Sequence, residues 1–109
     1  MSTTVAWAVL VLAGLVEIAW AIGIKYTGHW TKLWPSVFVV TAYLVDLYLL
    51  SVPMRQLPAG TAYSVWVGIG SVGVTLLGIA FLGESASLPR LACVGLILVG
   101  VVGLKLIGT

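Results

Sequence analysis

The stretch VAWAVLVLAGLVEIAWAIGI, residues 5–24, is apolar throughout except for one acid, Glu17. As a helix rising roughly 1.5 Å per residue, such a run reaches about 30 Å, the thickness of a bilayer's hydrocarbon core. No Lys or Arg precedes it, Glu17 interrupts it, and three more apolar runs follow. It is therefore expected to be a retained membrane span and not a cleaved leader.

Working outward, the pattern repeats. Short connectors, KYTGHWTKLW, RQLP and GESASLPR, separate the apolar runs. The expected helices cover about 5–25, 35–54, 59–82 and 90–107, with Pro35 suited to a first helical turn. Short connectors make consecutive helices antiparallel neighbours. The predicted fold is an all-α membrane protein with four transmembrane helices in a single domain, 1–109. Composition agrees: 61% of residues are hydrophobic, 7% are charged and mean hydropathy is +1.22, against roughly 25% charged residues in soluble domains. The short alternating segments of a β-barrel are missing.

Several function classes are excluded. A net charge of +2 with no basic cluster argues against nucleic acid. Cys93 is the single cysteine, so it forms no intramolecular disulfide, and it is expected to be a small buried hydrophobe. His29 sits in a polar connector and is expected to be solvated. No metal-ligand spacing, cofactor motif, phosphate loop or nucleophile–base–orienter set occurs, so neither a metal, a cofactor nor an enzyme is expected.

Flanking charge bears on topology. With both termini on one side, that side holds Arg55 and Lys105, and the other holds Lys25, Lys32 and Arg90. Two positives against three orient a protein weakly. Both orientations can then coexist and pair as an antiparallel homodimer with its two-fold axis in the membrane plane. Gly95, Val99 and Gly103 share a face of the fourth helix and form a candidate dimer seam. Gly68, Gly70 and Gly73 in the third helix permit either a mid-membrane hinge or close helix packing. Trp7, Trp30 and Trp34, near helix ends, are expected as interfacial anchors.

The chemistry concentrates at mid-depth. A charged residue there costs on the order of 3 kcal/mol on insertion scales and usually faces a bundle interior or wet cavity. A carboxyl in that position holds a proton or a cation and exchanges one for the other. Trp20, three residues after Glu17, shares its helix face and can donate its indole N–H to a carboxylate or face a cation. Tyr63 and Trp66 repeat the spacing on the third helix, leaving a cation site or aromatic packing as the two readings. Asp46 is a second acid inside a span, placed either in the Glu17 cavity or in a minor wet pocket.

Through AGLVEIAWAIGIKYTGHWTKLWPS, QLPAGTAYSVWVGIG, FLGESASLPRL and GLILVGVVGLK, nearly the whole chain resembles the small multidrug resistance family. The resemblance implies four-helix, dual-topology antiparallel homodimers in the bacterial-type cytoplasmic membrane that couple cation export to protons. It assigns Glu17 to substrate and protons and the hinge to Gly68–Gly73. Tryptophan three residues after the glutamate, and the GLK near the end, resemble the guanidinium exporter subtype. That subtype implies that Trp20 positions the Glu17 carboxylate by hydrogen bonding. It also implies that Tyr63 joins the carboxylate network and that Trp66 lines the pocket. Asp46 stands where those exporters usually carry a serine that hydrogen-bonds the glutamate. The alternatives are a broad exporter of quaternary ammonium, polyamine or other hydrophobic cations, and, further off, a non-transporting partner subunit or an ion channel.

Overall fold

The computed structural model describes residues 2–107. Met1, Gly108 and Thr109 of the expected domain 1–109 lie outside the described residues. Among the described residues there are four α-helices: α1 (Thr3–Ile24), α2 (Leu33–Ser51), α3 (Ala59–Phe81) and α4 (Leu88–Ile107). Each is long and apolar enough to cross a membrane, and no strand occurs among the described residues. Helices suit this setting because every interior backbone N–H and C=O is bonded within its own segment.

The helix ends have local causes. Ser2 caps α1 by accepting the Val5 N–H at 3.2 Å. α2 begins two residues before Pro35, which still lies in the first turn and removes no helical hydrogen bond. It stops at Ser51, short of the expected residue 54, because Pro53 lacks an N–H and starts a separate 3-10 turn, Pro53–Arg55. Pro58 precedes α3 in an extended conformation, as residues outside a helix start do. After α3 the chain reverses at Gly83, whose φ of +70° is open to glycine.

The α1–α2 connector is more ordered than its polar composition suggests. Gly28, His29 and Trp30 all adopt left-handed φ, at 60°, 61° and 69°. Such values are uncommon outside glycine. Thr27, buried beneath them, donates its hydroxyl to the Ile24 carbonyl at 2.8 Å and accepts the Trp30 N–H at 3.2 Å. His29 itself is exposed.

α1 is the central helix. It packs against α2 on one side and α3 on the other, while α2 and α3 barely meet and α4 rests mainly on α3. The core lies around Ala6, Leu10 and Ala13 of α1, Leu50 of α2, and Ala62 and Val65 of α3. Close approach depends on glycine: a Cβ at Gly14 would stand 2.6 Å from the Ile69 side chain.

Two expectations change here. Trp7 is not an exposed anchor: it is buried against the core, with the Lys105 ammonium 5.1 Å from its ring centre. Trp30 and Trp34 are exposed, as interfacial indoles would be. Cys93 is exposed and not buried, because α4 packs mainly on α3 and Val94 is its sole buried residue among those described. The molecule is a slab of 41 × 35 × 17 Å with long apolar faces.

Candidate cation site

Glu17 lies in the middle of α1, against α3. Its carboxyl rests on the Cα of Gly70, so closely that any β-carbon there would overlap it. Glycine is required at this point by the approach of a side chain, not by backbone conformation. Ala21 one turn further along α1, with Ser71, Val74 and Thr75 of α3, completes a cavity of about 340 Å³ around the acid. Glu17 Oε1 is buried and has no hydrogen-bond partner. An unpaired buried polar atom is costly, so it marks a place where a ligand or proton has something to gain.

Asp46 stands on the adjoining face of the bundle and is 0% exposed. Its Oδ2 accepts two hydrogen bonds: one from the Trp20 indole of α1 at 2.8 Å, one from the Trp66 indole of α3 at 3.2 Å. Its Oδ1 is buried and unpaired. The three helices therefore meet at one carboxyl. Tyr43 packs edge-on against Trp20, ring centres 5.1 Å apart and planes at 77°. Tyr63 tilts against Trp66 at 5.8 Å.

Of the expected binding residues, Glu17 lines this cavity, while Trp20, Asp46 and Trp66 form a separate junction beside it. Trp20 shares a face with Glu17, yet its N–H goes to Asp46. An indole has one donor, so the bond to Asp46 excludes one to Glu17. Asp46 is not among the residues lining the Glu17 cavity; it is fully buried, with the Trp20 and Trp66 indoles on one of its oxygens. Tyr63 is largely exposed on the surface of the single chain, and among the described residues no hydrogen bond joins its hydroxyl to either acid. Trp66 is buried with the core instead of lining the cavity.

The glycines of α3 are contact points in an unbroken helix. A Cβ at Gly68 would meet Val101 of α4 at 2.5 Å, and one at Gly73 would overlap Ile18 of α1. The glycines of α4 differ: a Cβ at Gly95, Gly100 or Gly103 would meet nothing within 4 Å in this chain. Val99 is exposed beside them.

Sequence reasoning missed Ser71 and Thr75. They are one helical turn apart and line the cavity that holds the acid, but hydroxyl residues are ordinary in membrane helices, so no local signal set them apart. A larger groove of about 480 Å³ lies between α1 and α4, lined by Trp7, Val11 and Lys105 among others. It holds a cation and no acid, so it does not suit a cationic ligand. No cluster of three or more His, Cys, Asp or Glu able to hold a metal exists among the described residues.

Comparison with known proteins places the chain among membrane exporters by sequence similarity. The chain is 54% identical over 101 residues to a guanidinium exporter of Yersinia pseudotuberculosis, covering 93% of this chain and 97% of that protein. It is 55% identical over 100 residues to guanidinium exporters of Citrobacter freundii and Escherichia coli, covering 92% of this chain and 95% of each. These relatives are named as exporters and not as enzymes. The sequence pattern of the Small Multidrug Resistance protein family matches residues 5–97. With that match over most of its length and a carboxyl-centred cavity among four membrane-spanning helices, the chain belongs to the Small Multidrug Resistance family.

Proposed function

We propose that this protein is a proton-coupled antiporter that exports guanidinium, or small substituted guanidinium cations, by alternating access. The observation that carries the reading is Glu17: a mid-membrane carboxyl with an unpaired buried oxygen, opening on a cavity of about 340 Å³. Guanidinium is planar and presents N–H donors that carboxylates accept in fork fashion. The names of the relatives support that substrate. Protons and the cation compete for the same carboxyl, and the competition couples their opposed movements.

The functional unit is an antiparallel homodimer in the cytoplasmic membrane of a bacterium, with the Glu17 carboxyls of both copies serving one substrate. A slab 17 Å thick encloses little on its own, and the bare glycine face of α4 around Gly95, Val99 and Gly103 supports pairing there. Bending of α3 through Gly68, Gly70 and Gly73 would turn the pocket from one side to the other. Tyr63 is exposed in the single chain, and in this reading it meets the second copy.

In proteoliposomes carrying a pH gradient, Glu17→Gln is expected to abolish guanidinium accumulation against its own gradient. Coupled transport retained in that variant would refute the mechanism.

A further inference from the structure

Trp20 and Trp66 each carry one side-chain donor, the indole N–H. Both donors point at one atom, Asp46 Oδ2. Glu17 Oε1, one turn from Trp20 on the same helix, is left without a partner. We propose that Asp46 is a positioning residue that sets the substrate preference of the Glu17 site: by holding both indole N–H groups, it leaves Glu17 dependent on hydrogen bonds that the cation itself brings.

The inference rests on Glu17 being the cation site, as proposed above, and adds the reason for its selectivity. α2 and α3 pack little on each other, the Asp46–Trp66 bond joins them, and the Asp46–Trp20 bond ties the same atom to α1. The aromatic neighbours lock the arrangement: Tyr43 braces the Trp20 ring and Tyr63 leans on Trp66. Nothing cationic competes for Asp46. Among the described residues the one ion pair joins Glu84 to Arg90, and Tyr43 and Tyr63 contact the two indoles that Asp46 holds.

The chemistry that follows is a filter on donor content. A guanidinium brings N–H groups and satisfies Glu17. A tetraalkylammonium of the same charge brings none and leaves a buried carboxylate oxygen unpaired. Sites built to hydrogen-bond a ligand reject analogues lacking the donor far more strongly than apolar pockets reject a size mismatch. With the Asp46 acceptor removed, the Trp20 N–H is free to turn to Glu17 and supply in the protein what the cation would otherwise supply.

The test is equilibrium binding of guanidinium and of tetramethylammonium to reconstituted wild type, Asp46→Ala and Asp46→Asn. Asp46→Ala is expected to shrink the guanidinium-to-tetramethylammonium affinity ratio by roughly tenfold to a hundredfold, the range for a hydrogen bond to a charged group. Asp46→Asn, whose carbonyl still accepts both indoles, should restore most of the ratio. A ratio unchanged in a folded Asp46→Ala variant, or equal loss in both variants, would overturn the proposal.

A second measurement needs no mutation. Asp46 is the chain's single aspartate. Aspartate labelled at its carboxyl carbon and tryptophan labelled at the indole nitrogen therefore report this one junction in bilayers by solid-state NMR. Two indole nitrogens next to the labelled carbon support the proposal, and an indole nitrogen beside a glutamate carboxyl instead overturns it. If wild type bound neither cation, the guanidinium reading would fail, while the labelling experiment would still decide how the indoles are held.

Discussion

Replacing Gly70 by alanine puts a β-carbon into the space now filled by the Glu17 carboxyl. The new atom would stand 2.9 Å from Glu17 Cγ and nearer still to the carboxyl group. Carbon atoms settle at about 3.5–4.0 Å, so the stem of Glu17 must retreat by roughly 0.6–1 Å and the carboxyl by more. It has somewhere to go, because the side chain opens on the adjoining cavity. The fold is therefore expected to survive, helped by alanine's helix preference over glycine of about 1 kcal/mol. The ligand geometry is not. Losing a hydrogen bond to a charged group costs about 1.5–3 kcal/mol, or roughly tenfold to a hundredfold in affinity at about 1.4 kcal/mol per tenfold. Isothermal titration of guanidinium in detergent at mildly alkaline pH measures this at equilibrium, apart from any effect on the transport cycle. Thermal unfolding of the same sample gives stability. Gly14→Ala makes the contrast: its β-carbon meets Ile69 Cγ2 at 2.6 Å and Cβ at 2.7 Å, atoms held close to the α3 backbone. That overlap cannot swing away and should destabilise by about 1–3 kcal/mol, with the smaller effect on affinity. Gly70→Ala binding guanidinium as tightly as wild type would refute the reasoning, since the carboxyl in this position could not then be the binding group.

Other outcomes follow from the same geometry. Ser71→Ala and Thr75→Val should each weaken guanidinium binding by roughly two- to tenfold, the worth of one ordinary hydrogen bond, measured by the same titration. Glu84 accepts a charge-assisted hydrogen bond from Arg90 at 2.6 Å, and that bond holds its carboxyl below the usual 4.5. A lowered acid stabilises the fold above its ordinary value and loses that contribution as pH falls through the lowered one. Acid unfolding below about pH 4.5 should therefore be blunted in Glu84→Gln, with stability at neutral pH reduced slightly, as followed by circular dichroism. Gly103→Leu, where a side chain meets nothing in the chain itself, should leave helix content intact and weaken self-association, read by crosslinking in membranes. Association equal to wild type would remove this face of α4 from the dimer contact.

What could be read from the residues in order was whatever depends on distance along one helix. Run length and hydropathy define four spans, and the structure has four helices at nearly those bounds. The exception is the end of α2, where Pro53 takes effect earlier than the apolar pattern implies. Glu17 declared itself by the cost of an acid in oil, and the three-residue spacing placed Trp20 on its face. Family membership was legible for the same reason, since the motifs are contiguous segments.

Which groups meet across helices was not legible, because helical periodicity leaves open how each helix is rotated against its neighbours. That rotation turned the Trp20 N–H to Asp46 and not to Glu17, and enclosed Asp46 between two indoles. It also buried Trp7, exposed Cys93, and made Gly70 the seat of a carboxyl. The sequence by itself determined that an acid must live inside the membrane; the tertiary structure alone decided which donors it would lack, because a hydrogen bond is short and directional and its partner is chosen by packing between helices.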